Sequence, residues 1–127
     1  MEQHKVLVIS ENETDHLLLS ACLGRARPAR FIVESARSLE RPLEAMMDPE
    51  VDVVIMAHGP QTEYLLRLAQ KNQTSTPLLL LVDEADNTLA RSLLDAGAQD
   101  YLVRGQLHDT LVHRILDYSI QLKNARE

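Results

Sequence analysis

Residues 51–57 read VDVVIMA, and this stretch is the middle one of five short apolar runs that divide the chain. The other runs lie at residues 6–9, 31–33, 78–82 and 101–103. Each run is followed by a segment in which apolar residues recur at three-and-four spacing, which is typical of an α-helix. The alternation predicts strands of a parallel sheet that are connected by helices.

The apolar runs are continuous and do not alternate with polar residues, as in VLVI at 6–9 and LLLLV at 78–82. Continuous runs are typical of strands that are covered on both faces by helices. Five such strands interleaved with five helices predict an α/β fold, a flavodoxin-like doubly wound parallel sheet with the strand order 2-1-3-4-5. We expect residues 1–127 to form a single domain, because this length suits one hydrophobic core.

The helical segments also predict which side chains face the sheet. In the first helix the spacing favours four inward residues, which are Leu17, Leu18, Ala21 and Cys22. In the third helix it favours Tyr64, Leu65, Leu68 and Ala69. The last helix is predicted to begin at about residue 107 and contains no Gly or Pro that would end it. We therefore expect it to continue into a linker that leads to an output domain outside this sequence.

Composition excludes several classes of function. The 127 residues are 45% hydrophobic and 25% charged, with a formal net charge of -6, which is typical of a soluble globular domain. Direct binding to nucleic acid requires clustered cations that an acidic chain does not favour. The first residues resemble neither a signal peptide nor a membrane span, so we expect a cytoplasmic protein without a membrane partner.

Cofactor and metal sites are not expected either. The single cysteine, Cys22, cannot form an internal disulfide or a cysteine-based zinc site. The chain has four glycines, and neither standard glycine-rich phosphate loop occurs among them.

In an open parallel sheet the functional residues gather at the carboxyl ends of the strands, near the point where the strand order reverses. The candidate site is therefore formed by the residues that follow the first, third, fourth and fifth strands. They are Ser10, Glu11, Ala57, His58, Val82, Asp83 and Arg104.

Residues 95–105, DAGAQDYLVRG, carry the most specific motif of the chain. Together with the five spaced strands, this segment resembles the receiver domain of bacterial response regulators, the CheY-like superfamily. The resemblance covers nearly the whole chain.

The resemblance implies roles for five of the candidate positions, and all five depart from the pattern of a working receiver. Two acids that hold Mg²⁺ would fall on Ser10 and Glu11, and the phosphate-accepting aspartate would fall on Ala57. The phosphate-sensing Thr or Ser would fall on Val82, and the lysine on Arg104. Because phosphoryl transfer to an enzyme side chain needs a nucleophile and alanine has none, the resemblance implies a degenerate pseudo-receiver.

A pseudo-receiver is expected to act by protein contact and not as an enzyme. In the family the face formed by the fourth helix, fifth strand and fifth helix serves this purpose, and here it includes Tyr101, Leu111 and Ile115. The expected partner is a second copy of the chain or its own output domain. The resemblance implies a place in two-component signalling, in a phosphorelay or in a cyclic-di-GMP pathway.

Three alternatives remain open from the residues. The first is a Mg²⁺-dependent receiver with a relocated acceptor, at His58 or Asp83. The second is an ion pair among Glu11, Asp83 and Arg104 that locks one conformation. The third is a protein that binds a small ligand at the same site, the mouth of the sheet, which is formed by the carboxyl ends of the strands.

Overall fold

The computed structural model describes residues 3–24, 31–37, 42–83 and 87–126. The strands are β1 (His4–Ile9), β2 (Phe31–Ala36), β3 (Val53–Ala57), β4 (Leu78–Val82) and β5 (Asp100–Val103). The helices are α1 (Glu13–Gly24), α2 (Pro42–Met47), α3 (Thr62–Lys71), α4 (Asn87–Asp95) and α5 (Asp109–Arg126), and a 3₁₀ turn (Arg104–Gln106) connects β5 to α5.

The five strands form one parallel sheet in the order β2-β1-β3-β4-β5. This arrangement confirms the predicted doubly wound topology. In the register of the central strands, Ile9 lies opposite Met56, and Ala57 lies opposite Leu81. The carboxyl ends of β1 and β3 are therefore level, which places Ser10 and Ala57 at the same edge of the sheet.

Two apolar layers cover the sheet. The layer under α1 and α5 contains Val6, Val8, Leu19, Cys22, Leu23, Val53, Ile55, Leu79, Leu81, Leu102, Val112 and Leu116. The layer under α2, α3 and α4 contains Leu7, Ile9, Val51, Val54, Met56, Leu65, Leu66, Leu78, Leu80, Val82, Leu93 and Ala98. Successive residues of each central strand alternate between the layers, because neighbouring side chains of a strand point to opposite faces. Burial on both faces explains why the strands read as unbroken apolar runs.

The structure corrects the predicted orientation of α1. Leu17 and Leu18 are exposed, at 64% and 43% of their surface, and Ala21 is exposed as well. The residues that α1 buries are Asp15, His16, Leu19, Cys22 and Leu23. The buried stripe begins with two polar residues, so counting apolar side chains favoured the wrong face.

A smaller correction applies to α3. Leu65 is buried as predicted, but Tyr64 is 62% exposed, and Leu66, which was not predicted to face inward, is 1% exposed. Because Leu65 and Leu66 are both buried, the buried face of α3 lies one residue further along the helix than predicted.

The last helix begins at Asp109, two residues after the predicted start, because the 3₁₀ turn comes first. Its final turns are held against the segment that precedes β3 by Lys123, which is 6% exposed and donates a hydrogen bond from Nζ to the carbonyl oxygen of Val51 at 3.1 Å. Among the helices in the described part of the chain, none combines the length and apolar character that crossing a membrane requires.

Candidate functional site

A cleft of about 520 Å³ opens at the carboxyl ends of β1 and β3. This is the point where the strand order reverses, and ligands of doubly wound sheets bind in such a crevice. Five of the predicted site residues line it, namely Ser10, Glu11, Ala57, His58 and Arg104. The methyl group of Ala57 stands at the end of β3, half-exposed, where the resemblance places an acceptor carboxylate.

The loop between β1 and α1 is held by local hydrogen bonds. Asn12 caps α1, because its Oδ1 accepts the backbone N–H of Thr14 at 2.9 Å. The hydroxyl oxygen of Ser10 accepts the N–H of Asn12 at 3.0 Å. The Nε2–H of the buried His16 donates to the carbonyl oxygen of Ser10 at 2.8 Å. These hydrogen bonds hold the first turn of α1 close to Ser10.

A bidentate ion pair between Asp15 and Arg104 is the central contact of the site. The guanidinium donates from Nε to Oδ1 and from Nη2 to Oδ2 of Asp15, both at 2.8 Å. The Ser10 hydroxyl donates to Oδ2 of the same carboxylate at 2.6 Å. The Asp15 side chain is 2% exposed. Because the two charges meet as parallel N–H···O bonds with little solvent around the acid, the position of Arg104 is well defined.

Arg104 also contacts the end of β4. Its Nη1 donates to Oδ1 of Asp83 at 2.6 Å, although 81% of the Asp83 side chain is exposed. A single guanidinium therefore connects α1 to the segments that follow β4 and β5. The Asp83 contact contributes less than the Asp15 contact, because solvent screens exposed pairs.

The ion pair changes the pKa of both partners. The hydrogen bonds from Arg104 lower the pKa of the Asp15 carboxyl below its ordinary value of 3.8, burial opposes them, and the Ser10 hydroxyl adds to the lowering. The Asp15 carboxylate raises the pKa of Arg104 above its ordinary value, against the effect of burial, and Asp83 adds to this rise. Both groups are charged at neutral pH.

The hypothesis of an ion pair at this site is correct for Arg104 and Asp83 but names the wrong second acid. Glu11 is exposed on the cleft, and the buried partner of Arg104 is Asp15. Sequence reasoning missed Asp15 because the first helix was assigned the wrong inward face. The signal lay in the spacing, since Asp15 precedes the buried Leu19 by one helical turn.

The remaining candidates fall outside the cleft or at its rim. Val82 is 4% exposed and belongs to the apolar layer under α2, α3 and α4, so its side chain extends the core. His58 is exposed at the rim, and its backbone N–H donates to the carbonyl oxygen of Leu81 at 2.9 Å. The Gly59 N–H donates to Oγ1 of Thr62 at 2.8 Å, which fixes the turn into α3.

The residues of the predicted contact face are partly buried. Tyr101 packs against the layer under α2, α3 and α4, and Ile115 packs against the opposite layer. Leu111 is half-exposed on α5. Tyr101 lies on β5, the edge strand away from β2, whereas Leu111 and Ile115 lie on α5, which packs against α1 and β3.

The donor set of the cleft does not fit a Mg²⁺ ion. Mg²⁺ requires near-octahedral oxygen ligands, usually with one or two carboxylates. The Asp15 carboxylate is committed to Arg104 and Ser10, and the guanidinium places a positive charge where a second cation would be repelled. Among the described residues, no group of three or more His, Cys, Asp or Glu side chains is placed to hold a metal ion.

Comparison with known proteins gives likeness of structure only. No protein-family model matches the chain, and no curated protein matches it. A response regulator from Thermotoga maritima has a TM-score of 0.77 and 21% identity, covering 94% of this chain and 98% of its own. A response regulator receiver domain protein from Clostridium thermocellum has a TM-score of 0.78 and 20% identity, with 98% and 99% covered.

A third similar structure is that of NtrX from Brucella abortus, with a TM-score of 0.80 and 14% identity. The match covers 98% of this chain and 28% of NtrX. At these identities the likeness concerns the path of the backbone and not the chemistry of the site. The chain has the fold of the response regulator receiver domains.

Proposed function

We propose that this chain is a signalling module of the receiver type that is not switched by phosphorylation and acts by contact with another protein. The observation that carries the proposal is the ion pair of Arg104 with Asp15, beside a strand that ends in Ala57. The acceptor position has no nucleophile. The guanidinium already neutralises the buried acid, which is the electrostatic task that a divalent cation performs in a phosphate site.

The ion pair also supports a fixed conformation. Arg104 links the segments after β4 and β5 to α1 through Asp83 and Asp15. A switch requires two states that a ligand or modification distinguishes. With its charges paired internally, the mouth of the sheet has a single preferred arrangement, and the module would serve as a constant docking unit within a two-component or cyclic-di-GMP pathway. The proposal assigns no catalysis to the chain and places it in the cytoplasm.

The contact surface in this proposal lies on β5 and α5. Leu111, Ile115, Tyr118 and Leu122 recur at intervals of four, three and four residues along α5. Tyr118 is 58% exposed, and the other three are half-exposed. This spacing is that of a helix seam, and the partner would be a second copy of the chain or an output domain that follows α5.

The test is incubation with acetyl phosphate and Mg²⁺, followed by measurement of the intact mass. We expect no gain of a phosphoryl group under conditions in which a receiver with an acceptor aspartate is fully modified. We also expect the oligomeric state, measured by light scattering, to be the same with and without the phosphodonor.

A stoichiometric phosphoryl gain would overturn the proposal and support the relocated acceptor. The variants His58→Ala and Asp83→Ala would then identify the modified residue. Tyr118→Asp tests the contact surface separately, because a charge in the seam is expected to weaken self-association or partner binding. Tyr118 is 58% exposed and belongs to neither apolar layer, so the substitution should leave the fold intact.

A further inference from the structure

The cleft at the mouth of the sheet has the composition of a binding site for a small organic molecule. Its floor is apolar and includes Ile9, Met56 and Leu65, which are 7%, 4% and 7% exposed, together with the methyl group of Ala57. Its volume of about 520 Å³ lies within the usual range of ligand pockets, roughly 300–1,000 Å³. An acceptor carboxylate at position 57 would make this floor polar, whereas alanine leaves it apolar.

The rim of the cleft favours a negatively charged group. Arg37, His58 and Arg104 line it, against the single acid Glu11. A guanidinium has five N–H donors, and three of those of Arg104 donate to Asp15 and Asp83. Two N–H groups of a side chain that is already held in place are therefore outside these bonds. A planar carboxylate is the acceptor that matches a guanidinium.

We propose that this cleft binds a small organic carboxylate non-covalently, with the carboxylate at the Arg37 and Arg104 rim and the apolar body over Ala57. The inference rests on the proposed function in one respect, namely that no covalent phosphoryl group occupies the cleft. Bound ligand would bridge the segments after β1, β3 and β5, since residues from all three line the cleft. The cleft would thereby hold a small metabolite in the place where a receiver holds its phosphoryl group.

The experiment is a titration of the isotopically labelled chain with benzoate, followed by amide chemical shifts in NMR spectra at constant ionic strength. Two matched probes separate the contributions. Benzyl alcohol keeps the aromatic body without the charge, and acetate keeps the charge without the body. We expect benzoate to cause saturable shifts at Ala57, His58 and Gly59, with a dissociation constant on the order of 1–10 mM for a ligand of this size. Both control probes should bind at least fivefold more weakly.

Two variants locate the site, and a third serves as a control. Ala57→Leu places a larger side chain over the floor, and we expect it to weaken benzoate binding at least fivefold. Arg37→Gln removes one exposed charge, and we expect it to weaken the affinity for benzoate by about two- to fivefold. Leu17→Ala changes a residue of α1 that is 64% exposed and lies outside the cleft, and this variant should bind benzoate as the wild type does.

Each other outcome overturns the inference. An absence of saturable shifts, or unchanged binding by Ala57→Leu that remains folded by its amide spectrum, would show that the cleft is not a site. If benzyl alcohol bound as tightly as benzoate, the charged side chains of the rim would not contribute to binding. If acetate bound as tightly as benzoate, the apolar floor would not contribute. None of these results bears on the phosphodonor experiment, so failure of this inference and failure of the proposed function are distinguishable.

Discussion

Replacing Arg104 with alanine tests the ion pair on which the proposed function depends. The substitution leaves the Asp15 carboxylate, whose side chain is 2% exposed, without its cationic partner and with one hydrogen bond from Ser10. Removing one partner of a buried pair costs about 3–5 kcal/mol, because the other charge stays buried and uncompensated. Solvent reaches Arg104 on its Asp83 side, where 81% of the Asp83 side chain is exposed. We therefore expect the lower end, a loss of about 3 kcal/mol in the free energy of unfolding at pH 7.

The assay is urea unfolding followed by circular dichroism. For a domain of this size the slope of the unfolding free energy is about 1–3 kcal/mol per molar urea. The expected loss corresponds to a midpoint that is lower by roughly 1–3 M. A loss below about 1 kcal/mol for Arg104→Ala would refute the reasoning, because that is the range of an exposed pair.

Two variants serve as controls for this measurement. Asp83→Asn removes only the exposed contact, and we expect it to cost less than about 1 kcal/mol. The double variant Asp15→Asn with Arg104→Met removes both charges together. It should recover at least half of the loss caused by Arg104→Ala, because no unpaired buried charge remains.

Three further predictions follow from single contacts. Folding lowers the pKa of Asp15, so the contribution of this carboxylate to the free energy of unfolding is complete above the unfolded pKa near 3.8 and is lost as the pH falls through the folded pKa. Asp15→Asn should therefore reduce the dependence of stability on pH in urea titrations below about pH 4. An unchanged slope in this acid range would contradict the prediction. Gly97 has a φ of 115°, and a Cβ there would lie 2.7 Å from Nε2 of Gln70. Gly97→Ala should cost about 1–3 kcal/mol by thermal unfolding, and since the backbone angle and not the movable side chain is the cause, adding Gln70→Ala should not restore stability. Lys123→Ala removes the hydrogen bond to Val51, and we expect faster amide hydrogen exchange in the last two turns of α5 together with a loss of about 1–2 kcal/mol; exchange at the wild-type rate would argue against this anchor.

The sheet was predictable because its signal is local. A strand covered on both faces must be apolar at every position, so VVIM at 53–56 and LLLLV at 78–82 mark buried strands without any knowledge of their neighbours. The order 2-1-3-4-5 was the leading prediction, because it is one of the common orders of doubly wound sheets. The location of the mouth and the presence of Ala57 in it follow from the same order, because the residue after each strand is read directly from the chain.

Helix orientation was less predictable. A helix turns about 100° per residue, so an error of one or two positions in the inward face changes which side chains are buried. In α1 the buried stripe begins with Asp15, and an apolar pattern alone selects Leu17 and Leu18. Tyr64 in α3 was misplaced for the same reason.

The amino-acid sequence by itself determined the five buried strands and the methyl group at the end of β3, since each depends on the side chains of one short segment. Only the tertiary structure decided which acid neutralises Arg104. Asp15 and Arg104 are 89 positions apart in the chain, and they meet because α1 buries its polar first turn against the end of β5. No local pattern encodes such a pairing, because its energy arises from the exclusion of water around two groups that the fold alone brings together.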